Sequence, residues 1–142
     1  MKRIELTKNL YLDEYISEKL YKKYLKKPHI LIGLLDCRLI KSDQKLRDKF
    51  GVVTINNWIS DGSRNFSGLR MGGDSYYSKT SQHSFGRASD KLFKNATAEE
   101  VRLYIKDNWE ELGITSIELG VSWVHSDVRN ILNQTSLLAF NP

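Results

Sequence analysis

The hydrophobic period of the chain changes at Gly51, and this limits its fold more than any other feature. Before Gly51, Leu12, Tyr15, Ile16, Leu20, Tyr24 and Leu25 recur at helical spacing and predict an amphipathic helix from Leu12 to about Lys27, ended by Pro28. Leu35, Leu39, Leu46 and Phe50 predict a second helix from Leu34, with Gly51 as its C-terminal cap. After Gly51, the β-branched run Val52, Val53, Thr54, Ile55 predicts a buried strand leading into Trp58. Thr97 and Glu100 have the spacing of a capping box, so a helix is expected from Ala98 to Leu112, stopped by Gly113, with Val101, Tyr104, Ile105, Trp109 and Leu112 inside. The segments ITSIEL and SWVHSDV, on either side of Gly120, read as two short strands in a hairpin. The expected class is α+β: N-terminal helices packed on a small, mainly antiparallel sheet, with the helix Ala98 to Leu112 on the other side. Ile131 to Pro142 shows no pattern that assigns it.

A chain of 142 residues with a single cysteine, Cys37, has neither an internal disulfide nor a cysteine-rich metal finger, so one packed core must hold it. We read residues 1–142 as a single domain, with 1–51 a helical N-terminal part and 52–129 the core that carries the chemistry. Cys37 falls inside the second predicted helix and reads as a small buried hydrophobe. No apolar run approaches the roughly 18 residues of a membrane span, and MKRIELTKNLYLDEY lacks the apolar stretch of a secretory signal. Net charge is 22 − 17 = +5, which favours anionic partners. Lys19, Lys22, Lys23, Lys26 and Lys27 crowd one helical segment, where such runs ordinarily serve as a solvated face. The interleaved Tyr15, Tyr21 and Tyr24 suit helix packing as well as base stacking.

Ile59 to Gln82 is rich in Gly, Ser, Asn, Asp and Tyr and predicts a long exposed loop. It carries Arg64, Arg70, Tyr76 and Tyr77, which suits substrate contact. Two of the three histidines lie near aspartates: His83 and Asp90 in SQHSFGRASD, His125 and Asp127 in WVHSDVR. Two imidazoles and a carboxylate make a three-ligand metal set with an open position, and His83, Asp90 and His125 supply one. On a strand, His125 and Asp127 share a face, so Asp127 is placed to orient a ligand. His29 has no ligand-type neighbour and reads as structural. Of the aromatics flanking these motifs, Trp58, Tyr76, Tyr77, Phe85 and Trp123, at least two are expected to be buried, leaving the loop tyrosines as contacts.

Ser81, His83, Gly86, Ala88 and Asp90 reproduce an S-x-H-x-x-G-x-A-x-D pattern, and WVHSDVR has an aromatic and an aliphatic residue before H-x-D. Together they resemble the two signatures of the zinc D-alanyl-D-alanine peptidases, which share the hedgehog/D,D-peptidase fold, and most nearly the carboxypeptidase-like and endopeptidase branches of bacteriophages. The resemblance covers roughly Val52 to Arg129. It implies that His83, Asp90 and His125 bind Zn2+, with Gly86 permitting the turn after the first ligand and Ala88 leaving room beside the metal. It implies hydrolysis of a peptide bond in peptidoglycan, in a D-amino-acid-containing stem or cross-link, by a phage lytic or virion-associated enzyme present in the host cytoplasm or on the virion. The alternative is a phage structural or assembly protein that keeps the fold without catalysis.

The family's upstream arginine, which holds a substrate carboxylate or carbonyl, has two counterparts, Arg64 in DGSR and Arg70 in SGLR, with Arg64 slightly favoured. Its usual general base is missing, because Ser122 and Trp123 occupy those places and neither accepts a proton near neutral pH. Asp127 and Glu118 are the remaining candidates, and the odd separation of Glu118 from His125 leaves its face open. The lysine segment Lys19 to Lys27 would then meet an anionic cell-wall polymer; nucleic acid ranks lower as a partner.

Overall fold

The change of period at Gly51 also divides the computed structural model, which describes residues 1–142. On its N-terminal side lie a 3-10 turn (Leu12–Glu14) and the helices α1 (Glu18–Tyr24), α2 (Pro28–Ile32) and α3 (Cys37–Phe50). Beyond it, β1 (Val53–Thr54), β2 (Ala88–Phe93), β3 (Ser116–Glu118), β4 (Val124–Asp127) and β5 (Leu138–Phe140) form one sheet, with α4 (Ala98–Leu112) between β2 and β3. The strand order is β1-β2-β4-β3-β5; β3 and β5 run parallel and the other pairs antiparallel. The fold is α+β with a mixed sheet. No helix is long and apolar enough to cross a membrane.

Local chemistry explains where the elements differ from expectation. The helix expected over Leu12 to Lys27 is broken at Ser17, whose hydroxyl accepts from the Leu20 amide and starts α1 afresh. Pro28 opens α2 in its first turn, where the amide that proline lacks would have no partner anyway. Asp36 caps α3 through the Arg38 amide, so the helix begins at Cys37 instead of Leu34, and Cys37 is exposed instead of buried. Only Val53 and Thr54 of the β-branched run pair, against Phe93 and Leu92, and Val52 is exposed.

Thr97 and Glu100 form the expected reciprocal cap, and α4 ends at Gly113 in the left-handed region, φ +73°. Val101, Ile105 and Leu112 are buried, but Tyr104 and Trp109 only partly so; helical angles lapse at Asn108, which re-aims the face that follows. Arg102 is buried in their stead and donates to the carbonyls of Val121 and Trp123, tying α4 to the turn before β4.

Strand alternation gives the sheet two unlike faces. Ser89 and Lys91 of β2, and Val124 and Ser126 of β4, point one way, toward both α3 and α4: Val124 packs with Leu46, Val101 and Ile105, and Lys91 Nζ lies 3.0 Å from Asp43 of α3. The helix α4 is therefore on the same side as α3 and not opposite it. The other face, with Asp90, His125 and Asp127, is left to the Ile59–Gln82 loop. Lys91 and Asp43 are both fully buried. Lys91 also donates to the hydroxyls of Ser89 (2.7 Å) and Ser126 (2.8 Å), bridging β2 and β4, while Asp43 accepts from Ser89 and Tyr15. This network locks the two strands in register beneath the site. Asp43→Ala, which strands a buried cation, is expected to cost about 3–5 kcal/mol in denaturant unfolding, and Asp43→Leu/Lys91→Met to recover much of that loss.

Candidate metal centre

His83 sits in a 3-10 turn, Gln82–Phe85, that is capped by the Ser81 hydroxyl and ended by Gly86 at φ +66°. A Cβ at Gly86 would lie 1.9 Å from the Leu34 carbonyl oxygen, so glycine is needed both for the angle and for the close approach of α2's end. Two residues later β2 begins, and its register sets Asp90 opposite His125 and Ala88 opposite Asp127. The small Ala88 side chain faces the strand position of Asp127. The two motifs thus meet through adjacent strands, although Asp90 and His125 are 35 residues apart.

The three predicted ligands converge. Single donor atoms of His83, Asp90 and His125 all lie within 4.8 Å of one another. His83 Nε2 is 3.3 Å and His125 Nδ1 2.9 Å from the same oxygen, Asp90 Oδ1. The far side of each ring is anchored. His83 Nδ1 is 2.8 Å from the Gly68 carbonyl, which only accepts, so that nitrogen carries the hydrogen. His125 Nε2 is 3.0 Å from Asp127 Oδ2, and Asp127 is itself gripped by Arg129 at 2.8 and 2.6 Å. Both anchors leave the remaining ring nitrogen pointing at Asp90, where it offers a lone pair once its proton is gone, which is the arrangement a metal-binding histidine requires. Two imidazole nitrogens and one carboxylate oxygen, buried and pre-aimed, can hold one metal ion.

The electrostatics agree with that role. Burial opposes the charge on Asp90, but hydrogen bonds from His125 and His83 overcome it and hold the carboxyl far below its ordinary range. Burial likewise opposes protonation of His125, yet hydrogen bonds to Asp127 and Asp90 raise its pKa above the usual histidine value. His83 has less support, and burial lowers it. Burial would raise Asp127, but Arg129 and His125 keep it ionised.

The site floors a cleft of about 630 Å³. Arg64 and Arg70 both line it, in different ways. Arg70 is paired with Asp90 Oδ2 at 2.7 Å and donates to the Phe66 carbonyl, so it braces a ligand. Arg64 donates to the carbonyls of Ile55 and Asp90 and has no carboxylate partner; burial lowers its pKa, and its charge is the one left free for a bound anion. Asp127 is fully buried with both oxygens engaged, which makes it an orienting group with no path to substrate. Glu118 is on the cleft wall. The pairs Ser116 with Asp127 and Ile117 with Ser126, continued one place, set Glu118 opposite His125 on the same face of the sheet.

Of the five aromatics flanking the motifs, Trp58 alone is buried, against the two or more expected, its indole donating to the carbonyls of Asp13 and Ile16 away from the site. Trp123 and the exposed Tyr76 line the cleft, whereas Tyr77 and Phe85 are exposed outside it. His29 is exposed on α2. Two wall residues that touch His125 or its anchor Asp127 were not foreseen. Arg129 follows Asp127 at strand period and was findable by the logic that found Asp127. Phe140, from β5, stands edge-on to His125 at 5.7 Å with the Arg129 guanidinium 5.0 Å from its ring, and the patternless tail held no signal for it.

No family model matches the chain, and neither a curated protein nor a solved structure matches it.

A metal must displace the proton that His125 shares with Asp90. Metal affinity, followed by calorimetric titration, is therefore expected to be full above the raised His125 pKa and to fall about tenfold per pH unit below it. An affinity flat from about pH 5 to 8, a span that brackets the ordinary histidine value, would contradict that ligand assignment.

Proposed function

We propose that the chain is a zinc-dependent peptidase that cleaves a D-amino-acid-containing peptide bond of peptidoglycan, with the hedgehog/D,D-peptidase-like fold of the family its motifs resemble. The observation that carries this reading is the convergence of His83, Asp90 and His125, from two motifs distant in the chain, at the floor of an open cleft. The borderline-soft N,N,O donor set suits Zn2+. When bound there, the ion supplies Lewis-acid polarisation of the scissile carbonyl and acidifies water.

The remaining steps fall to the chain's own side chains. Arg64, the unpaired cation of the cleft, binds the substrate's carboxylate or carbonyl and sets the peptide across the three ligands. Arg70 holds Asp90, and Asp127 with Arg129 holds His125, so the ligand geometry survives substrate entry. Glu118 takes the proton from the attacking water and returns it to the leaving amine nitrogen, filling the place left by Ser122 and Trp123. Tyr76, exposed at the mouth with a left-handed backbone (φ +63°), offers a flat surface to the rest of the peptide. The wall as substrate accords with a phage lytic or virion-associated role.

The test is release of peptides or free amino groups from purified peptidoglycan by zinc-loaded protein. Glu118→Gln is expected to lose activity by a factor of about 100 or more while keeping its metal. Wild-type activity in that variant would remove Glu118 from the role. No release by the loaded wild type would favour a virion structural or assembly protein that keeps the metal site without catalysis.

A further inference from the structure

A second groove, of about 400 Å³, opens beside the metal cleft between α1, α2 and the loop that follows Arg70. Its floor is apolar, formed by the half-buried Leu20, Tyr24, Ile30 and Leu34, and Lys19 and Lys23 stand at its rim. One loop separates the two clefts: Arg70 and Tyr76 line the metal site, while Met71, Gly72 and Asp74 line the second groove. A long ligand crossing that loop would touch both.

The charge here is concentrated and largely unanswered. Residues 19–27 contain five lysines and no acidic residue, a local charge equal to the net charge of the whole chain. All five are exposed, and Lys22 alone is paired, with Glu18 at 2.6 Å. On α1, Lys19 and Lys23 are like charges four residues apart, a spacing that repels on a helix, and Lys26 and Lys27 follow in the turn after it. Asp74, the one carboxylate lining the groove, forms no ion pair with these lysines and accepts from the Met71 amide at 2.7 Å, so it offsets only one of the five charges.

We infer that this groove and its lysine rim bind a phosphate-bearing linear polymer of the cell wall, with anionic groups on the lysines and the alkyl or sugar segments between them on the apolar floor. The choice of a wall polymer rests on the peptidase reading above; the choice of a diffuse polyanion does not. Lysine is a point charge without the planar fork of arginine, which suits a repeating anion better than one fixed carboxylate. Single-stranded nucleic acid needs free aromatic faces for its bases. Tyr15 and Tyr21 are fully buried, and the Tyr24 ring lies under Lys23 Nζ at 5.2 Å, so the segment offers no stacking platform.

The full chain is to be titrated with poly(glycerol phosphate) carrying no peptide, at low and at physiological salt. Lys19→Glu/Lys23→Glu is expected to weaken binding at least tenfold and to flatten its salt dependence, whereas Lys94→Glu/Lys106→Glu, an equal change of charge at exposed sites elsewhere, should change it less than threefold. Equal losses in the two variants, no binding by the wild type, or tighter binding of an oligothymidylate than of the polymer would each overturn the inference. The probe has no peptide bond, so failure of the peptidase reading leaves this result standing, and hydrolysis without polymer binding would reject the groove alone.

Discussion

The site depends on one strand pairing. The register of β2 with β4 brings Asp90 opposite His125, and a slip of one residue in either strand would send that strand's ligand to the helix-covered face. What guards that register lies beneath it, where Lys91 bridges the hydroxyls of Ser89 and Ser126 and meets Asp43 from α3. A buried ion pair is a poor source of net stability compared with apolar packing, but it tolerates few alternative arrangements. Here its partners are the residues adjoining the metal ligands on both strands. Apolar packing of Val124 and Ile117 against α4 supplies cohesion, and the polar network supplies alignment.

Above the sheet, the same economy of position recurs. Each histidine has one nitrogen committed to an acceptor, Gly68 or Asp127, which leaves the other turned inward. Asp90 is the hub: His83, His125 and Arg70 all reach its carboxylate, and Arg64 reaches its main-chain carbonyl. A divalent ion would replace the hydrogen bonds now made between Asp90 and the rings without moving their far-side anchors. The cleft then holds an excess of positive charge, suited to an anionic group.

Much of this was legible in the chain, for physical reasons that differ by element. The capping box at Thr97 and Glu100 and the glycine at Gly113 are local devices, so α4 was found to the residue. The hairpin of β3 and β4 was visible from alternation, and with it the shared face of His125 and Asp127. Residue type and the resemblance of the two motifs nominated the ligands, and the fold brings their donor atoms together. The break at Ser17 was hidden because the apolar spacing runs through it, and the exposure of Cys37 followed from a cap at Asp36 that the periodicity does not register. β5 was illegible: three residues paired in parallel with a strand some twenty positions earlier leave no local signature, so Phe140 was missed. Glu118 could be nominated but not oriented, since the length of the turn between β3 and β4 decides its face.

The central claim is that His83, Asp90 and His125 form one metal centre. Its most direct test is elemental analysis of purified wild type and Asp90→Ala after dialysis against a weak chelator, with circular dichroism to confirm that both are folded. The account predicts about one ion of a divalent metal per wild-type chain, the number of ions one three-residue ligand set can hold, and none in a folded Asp90→Ala. A wild type that takes up no metal even when zinc is added back, or a variant that retains its ion, would contradict it.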